Sequence, residues 1–212
     1  MKRFYFDGCS FTAGGGLKKN GYDPLECRWS KLVCDHFGAE ECNYSFGGAS
    51  NDAILRHFFT RDDLKNFDMF FIQTTFTSRG EFFDGKKWKQ YRKRNLYNAG
   101  QDSKKNPELQ KWTEYYLKNI YSQELGNVRE TITVRSIESQ LKLLNKPYFL
   151  STIIEEPLMD YDLEINKIIK DFNTGKKGVK YDRLPNDHHP SVDGHRQIAD
   201  DVIKFMTNEI HF

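Results

Sequence analysis

Ser10 stands in the segment Gly8-Cys9-Ser10-Phe11-Thr12-Ala13-Gly14-Gly15-Gly16. A serine hydroxyl is a weak nucleophile until a neighbouring base takes its proton. His189, in Asp187-His188-His189-Pro190-Ser191, is the side-chain type best suited to that task near neutral pH, and Asp187 is at hand to hold its ring. Acyl transfer also needs donors placed where negative charge develops on the carbonyl oxygen. Ser10 brings its own backbone N–H. Gly48, in Ser45-Phe46-Gly47-Gly48-Ala49-Ser50, suits a second donor because a backbone without a Cβ can come close to a ligand. The chemistry this inventory serves is acyl transfer.

These residues must be carried to one place by the elements around them. Residues 2–6 are β-prone and run into the glycine-rich turn at Ser10. Leu25, Trp29, Leu32, Val33 and Phe37 recur at helical spacing up to the stop signal Gly38, and a short strand is expected at Cys42–Tyr44. Ser50 or Asn51 can cap a helix bearing Ile54, Leu55, Phe58 and Phe59. The apolar run Phe67–Ile72 suits a strand covered on both faces and ends at Gln73-Thr74-Thr75. Residues 80–128 are polar, aromatic and basic and read as an insertion or lid, ending in a helix with Trp112, Tyr116 and Ile120 on one face. Val134, Ile137, Leu141 and Leu144 predict a helix, and Tyr148–Ile154 a buried strand, the last one expected. Helices are expected near Leu163–Phe172 and over Ile198, Val202, Met206 and Ile210. Strands alternating with helices imply a parallel α/β sheet of four to five strands in a single domain, 1–212. Ligands of such sheets sit outside the carboxyl ends of the strands, which is where the loops at Ser10, Gly48 and Thr75 would open.

At this level the segments resemble the SGNH, or GDSL-type, hydrolases. Gly8-Cys9-Ser10 is similar to the family's Gly-Asp-Ser block with its nucleophile, Asn43 through Ser50 to the block whose glycine joins the oxyanion hole, and Asp187 through Ser191, followed by Gly194-His195, to the block whose histidine before proline is the base. The resemblance implies a flavodoxin-like three-layer α/β/α fold and hydrolysis of a carboxylic ester, acyl or O-acetyl, through an acyl-enzyme without a cofactor, with Ser10, His189 and Asp187 as the triad and with Ser10, Gly48 and the Thr75 hydroxyl at the oxyanion. Three positions depart from the pattern. Cys9 replaces the usual aspartate, as in a divergent Gly-Cys-Ser-Phe-Thr group. One residue separates Asp187 from His189 where the family has two, so that Asn186 holds the usual place of the acid. Thr75 stands where an asparagine side chain normally faces the oxyanion; Gln73, Asn51 and Arg79 are nearby candidates for the missing donor and for substrate contacts.

Other readings of the same residues carry less. Ser10 alone could be a helix cap. His188 and His195 are read as structural, because adjacent histidines seldom converge on one metal ion and no third ligand is placed. Ser191 and Asp193 read as the N-cap and first-turn acid of the last helix, and Cys9 as small buried packing. Gly14-Gly15-Gly16 follows a strand, but neither a Walker pattern nor GxGxxG is formed. Between Lys86 and Lys105 eight basic residues face only Asp102, with Trp88, Tyr91 and Tyr97 among them. Such interleaving can serve nucleic acid, yet no nucleic-acid fold accompanies it, and a solvated lid is the preferred account, with a lid facing an anionic ester or glycan as the reading between the two.

The composition agrees with a globular α/β domain. Of the 212 residues 38% are hydrophobic, 15% aromatic and 29% charged, with a net charge of +2; this excludes a disordered or membrane-spanning chain. The four cysteines show no metal-type spacing and are expected as free thiols of a cytoplasmic protein. Substrates are expected to be small-molecule or glycan esters. The rival from another class is a binding or structural module that keeps the scaffold without turnover.

Overall fold

In the computed structural model the described residues are 1–92, 107–154, 161–164, 168–170, 177–185 and 187–209. Five strands form one parallel sheet: β1 (Arg3–Asp7), β2 (Glu40–Asn43), β3 (Met69–Thr74), β6 (Tyr148–Thr152) and β7 (Leu163–Glu164), in the order β2-β1-β3-β6-β7. Alternation along the central strands sorts their rings between two cores. Phe4 and Phe6 of β1 join Phe71 and Phe149 on one face, under Trp29 and Val33 of α3 (Trp29–Phe37) and Ile198, Val202 and Met206 of α7 (Val192–Glu209). Tyr5, Phe70, Ile72 and Leu150 face the other way, against Ile54 and Phe58 of α4 (Asn51–Phe59) and Val134, Ile137 and Leu141 of α6 (Gln123–Leu143). Phe6 and Phe71 are register partners, and their rings stack with centroids 4.4 Å apart. Each such fully buried ring stabilises the fold by about 1.5–3 kcal/mol.

This is the expected three-layer α/β/α architecture. From β1 the chain moves to one side for β2 and then returns past β1 for β3. The carboxyl ends of β1 and β3 therefore border the crevice where such sheets take ligands.

Four local readings need correction. The helix expected from Leu25 to Phe37 is broken into α2 (Pro24–Cys27) and α3 by an extended Arg28 at φ −71°, ψ 146°. There Arg28 reaches Glu41 of β2 through two hydrogen bonds of 2.9 and 2.6 Å, a tertiary pairing that local spacing does not encode. The strand expected at Cys42–Tyr44 runs instead over Glu40–Asn43. In place of a helix near Leu163–Phe172 the chain forms β7 and then β8 (Ile168–Lys170), which pairs antiparallel with β9 (Lys177–Val179); Phe172 lies outside the described residues. β7 extends the open edge of β6, where the Leu150 N–H donates to Asp162 Oδ2 at 2.6 Å, and β6 is thus not the last strand.

Between β3 and β6 the chain forms a hairpin, β4 (Gly80–Phe83) with β5 (Trp88–Tyr91), and a helix α5 (Pro107–Asn119). Of the helical face expected there, Tyr116 is buried while Trp112 and Ile120 are exposed. Lys93, Arg94, Tyr97, Asp102, Lys104 and Lys105 fall outside the described residues, as does Ile210. No described helix is long and apolar enough to cross a membrane. Cys9, Cys27, Cys34 and Cys42 are free thiols.

Candidate active site

The turn after β1 presents Ser10 as the first residue of a four-residue helix, α1 (Ser10–Ala13). Cys9 rather than Ser10 holds the cap position, and the Ser10 hydroxyl is directed elsewhere. Its Oγ lies 2.8 Å from His189 Nε2, and His189 Nδ1 lies 2.5 Å from Asp187 Oδ1. An ionised carboxylate only accepts, so Nδ1 carries the ring proton and Nε2 is left to receive the hydroxyl proton of Ser10. Asp187 reaches His189 across a single residue because the backbone turns. Asp187 Oδ1 also accepts the His189 N–H at 3.1 Å, Asp187 N donates to Leu184 O, and Leu184 N to His189 O. Burial opposes ionisation of Asp187, but the backbone and ring donors of His189 outweigh it and hold the carboxyl below its ordinary range. Asn186 lies outside the described residues.

Two glycines make room for this arrangement. A Cβ on Gly15 would stand 2.8 Å from Ser10 Cβ and 2.9 Å from His189 Nε2. One on Gly16, whose φ is +83°, would stand 2.6 Å from Leu184 Cδ1 and 3.1 Å from Asp187 Oδ2. Gly15 and Gly16 are thus the floor on which the base loop rests, and the sequence gives no local sign of that role.

The second loop is tied to the first. Phe46 N donates to Gly8 O at 3.3 Å and Asn43 Nδ2 to Thr12 O at 3.2 Å, bringing the Gly48 segment beside the Ser10 turn. Among the described residues, the backbone N–H groups of Ser10 and Gly48 make no hydrogen bond to protein. Thr75 is fully buried; its Oγ1 accepts from Arg79 Nη1 at 2.7 Å, which leaves its own proton available to another acceptor. Asn51 turns its amide to the backbone of Thr75, accepting from the N–H at 2.8 Å and donating to the C=O at 3.1 Å. Gln73 is buried beneath the nucleophile turn, where Oε1 accepts from Cys9 N at 3.4 Å and faces Cys9 Sγ at 3.3 Å. Asn51 and Gln73 thus position the loops from inside, and of the three proposed stand-in donors only Arg79 is half-buried.

Asp7 supports the turn in a way the sequence did not single out. It is buried, takes the Gly8 N–H at 2.8 Å and the Tyr5 hydroxyl at 3.1 Å, and lies 3.4 Å from His57 Nδ1. Burial pushes its carboxyl above the ordinary range against the opposing pull of His57, Gly8 and Tyr5. His195 is also buried. Its Nδ1 accepts the Trp29 N–H at 3.2 Å, fastening α7 to α3, and burial pushes its pKa down to about 3. His188 is exposed, with its carbonyl accepting from Arg183. Ser191 caps α7 by accepting the Gly194 N–H at 3.0 Å. Among the described residues no three His, Cys, Asp or Glu side chains are grouped as a metal site.

No family model and no curated protein matches the chain by sequence. Solved structures match it by shape. TesA aligns over 97% of this chain and 98% of its own, at 12% identity and a TM-score of 0.55. A family two carbohydrate esterase from Clostridium thermocellum, in complex with cellohexaose, aligns over 99% of this chain and 64% of its own, at 10% identity and a TM-score of 0.52. A variant of Axe2, an acetyl-xylooligosaccharide esterase from Geobacillus stearothermophilus, aligns over 100% of this chain and 96% of its own, at 15% identity and a TM-score of 0.51. With its sheet order, its two helical layers and these neighbours, the chain has the fold of the SGNH/GDSL hydrolases.

Proposed function

We propose that the chain is a serine ester hydrolase, one domain over 1–212 with residues 80–128 as its lid, in which Ser10, His189 and Asp187 form the triad. The observation that carries this reading is the continuous hydrogen-bonded line from Ser10 Oγ through both ring nitrogens of His189 to Asp187. His189 takes the proton as Ser10 Oγ attacks the ester carbonyl, and Asp187 stabilises the imidazolium that forms. The N–H groups of Ser10 and Gly48 receive the oxyanion, and the Thr75 hydroxyl, buried under Arg79, donates a third hydrogen bond once that guanidinium swings aside. His189 returns the proton to the leaving alcohol. Water, activated by the same base, then releases the acid. No cofactor enters these steps. The likeness to carbohydrate esterases supports O-acetyl groups on glycans as one substrate class, and the exposed rings Phe83, Trp88 and Tyr115 between β3 and α6 offer faces for sugars. Four free thiols suit a reducing compartment such as the cytoplasm.

A fluorophosphonate probe tests the reading directly. Ser10 should be labelled in the native protein, and labelling should be lost in His189→Ala. An unlabelled Ser10 in correctly folded protein would leave a binding module on a hydrolase scaffold.

A further inference from the structure

Two guanidinium groups flank the loop that carries Gly48. The first belongs to Arg92, just past β5, and the strand before it fixes its place. Gln90 Oε1 accepts the Ser50 N–H at 3.1 Å, Gln90 Nε2 donates to Glu81 Oε2 at 2.7 Å, and buried Tyr91 packs on Tyr116 with centroids 4.4 Å apart. From there the Arg92 side chain lies over Gly48, where a Cβ would stand 1.9 Å from Nη1 and 2.8 Å from Cζ. The guanidinium fills the space that any other residue at 48 would need. The second group, Arg79, donates from Nη1 to Ala49 O at 3.3 Å and to Thr75 Oγ1 at 2.7 Å, with its Cζ 4.8 Å from the centre of the Phe76 ring.

Among the described residues Arg79 donates to two uncharged oxygens, Ala49 O and Thr75 Oγ1, and no carboxylate pairs with it. Arg28, Arg56 and Arg61, by contrast, each pair with an acid. Of the acids on the hairpin, Glu81 is taken by Arg56 at 2.7 and 2.9 Å and by Gln90, and Asp84 pairs with Lys89 at 3.3 Å. A guanidinium stays charged in a protein, so holding one half-buried beside neutral oxygens costs free energy until an anion meets it. Its fork geometry matches carboxylate, sulfate or phosphate.

We propose that Arg79 and Arg92 bind an anionic group of the substrate, so that the preferred ester carries a carboxylate, sulfate or phosphate close to the scissile bond. This rests on the reading that Ser10 and Gly48 belong to the ester-cleaving site. The two cations select the acidic ester and also offset the repulsion between its charge and the developing oxyanion. Gly48 serves this arrangement twice, with an N–H aimed at the oxyanion and a bare Cα on which Arg92 rests.

The test compares matched esters. Mono-p-nitrophenyl succinate is set against p-nitrophenyl pentanoate for charge on the acyl side, and p-acetoxybenzoate against phenyl acetate for charge on the alcohol side. In the native protein kcat/KM should favour the anionic member of at least one pair by tenfold or more at low salt, with the preference shrinking as salt is raised. In Arg92→Gln and in Arg79→Gln the anionic-to-neutral ratio should fall about tenfold. Equal ratios in native and variant proteins overturn the proposal, and so does a faster neutral ester in Arg92→Gln, which would mark Arg92 as a plug. Binding of mono-p-nitrophenyl succinate to Ser10→Ala separates the two layers of the argument. Binding that depends on Arg92 in a protein whose native form resists the fluorophosphonate probe refutes the esterase reading and keeps the anion site; a labelled Ser10 without charge preference does the reverse.

Discussion

Gly15 and His189 approach so closely that a single methyl group on the glycine would sit 2.9 Å from the ring nitrogen facing Ser10. Gly15→Ala is therefore expected to push the base off the nucleophile while leaving both cores untouched. A displacement of about 1 Å at such a site costs about 10² in rate. Ester turnover should drop by about that factor with little change in melting temperature, and a variant with native turnover would show that the base loop yields at no cost.

Ser10 and His189 act as a unit in the proposed mechanism. Ser10→Ala and His189→Ala should each remove most of the turnover of p-nitrophenyl acetate, and the double variant should be little worse than either. Multiplying losses in the double variant would mean that the 2.8 Å contact is not the catalytic one.

Asp187→Asn keeps the size of the side chain but removes the charge that fixes the His189 tautomer. A loss of about 10³ to 10⁴ in kcat is expected, on the scale seen when a triad acid becomes an amide. Asn186→Ala, at the place where the family pattern has its acid, should cost far less. The reverse order of the two effects would move the orienting role to another residue.

His195 ties acid sensitivity to the join between α7 and α3. Burial is the main cause of its low pKa of about 3, with the charges of His189 and Arg28 acting in the same direction. The unfolded chain binds this proton from about pH 6.5 downward, whereas the folded protein refuses it until about pH 3. The contribution of His195 is thus complete above the unfolded value and is lost as pH falls toward the folded one, at up to about 1.4 kcal/mol per pH unit. Urea unfolding at a series of pH values should show this slope in the native protein and a flatter one in His195→Asn. Parallel slopes would assign the acid sensitivity to other groups.

Much of the scaffold was legible because it is written in local patterns. The alternation Phe4-Tyr5-Phe6 sends rings to opposite faces of β1, and Ser50 caps α4 by accepting the Ala53 N–H, as its place before an apolar helical face suggested. What escaped reading depends on partners distant in sequence. Arg28 breaks a helix for the sake of Glu41, Leu163–Glu164 becomes a strand because β6 has an open edge, and Arg92 finds Gly48 only after Gln90 and Tyr91 have docked their hairpin. At the candidate site, residue types pointed to Ser10, Gly48 and His189, whereas the clearance that Gly15 gives His189 and the inward turn of Asn51 toward Thr75 are properties of packing.

The hydrogen bond from Ser10 to His189 spans 179 positions of the chain. Ser10 is synthesised 179 residues ahead of His189, and the loop that carries His189 leads directly into α7, where His195 meets Trp29. A nascent chain that has completed most of the sheet thus still holds Ser10 without its imidazole partner. On the proposed mechanism activity requires α7 to dock, so its appearance during refolding would serve as a clock for that docking rather than for formation of the sheet.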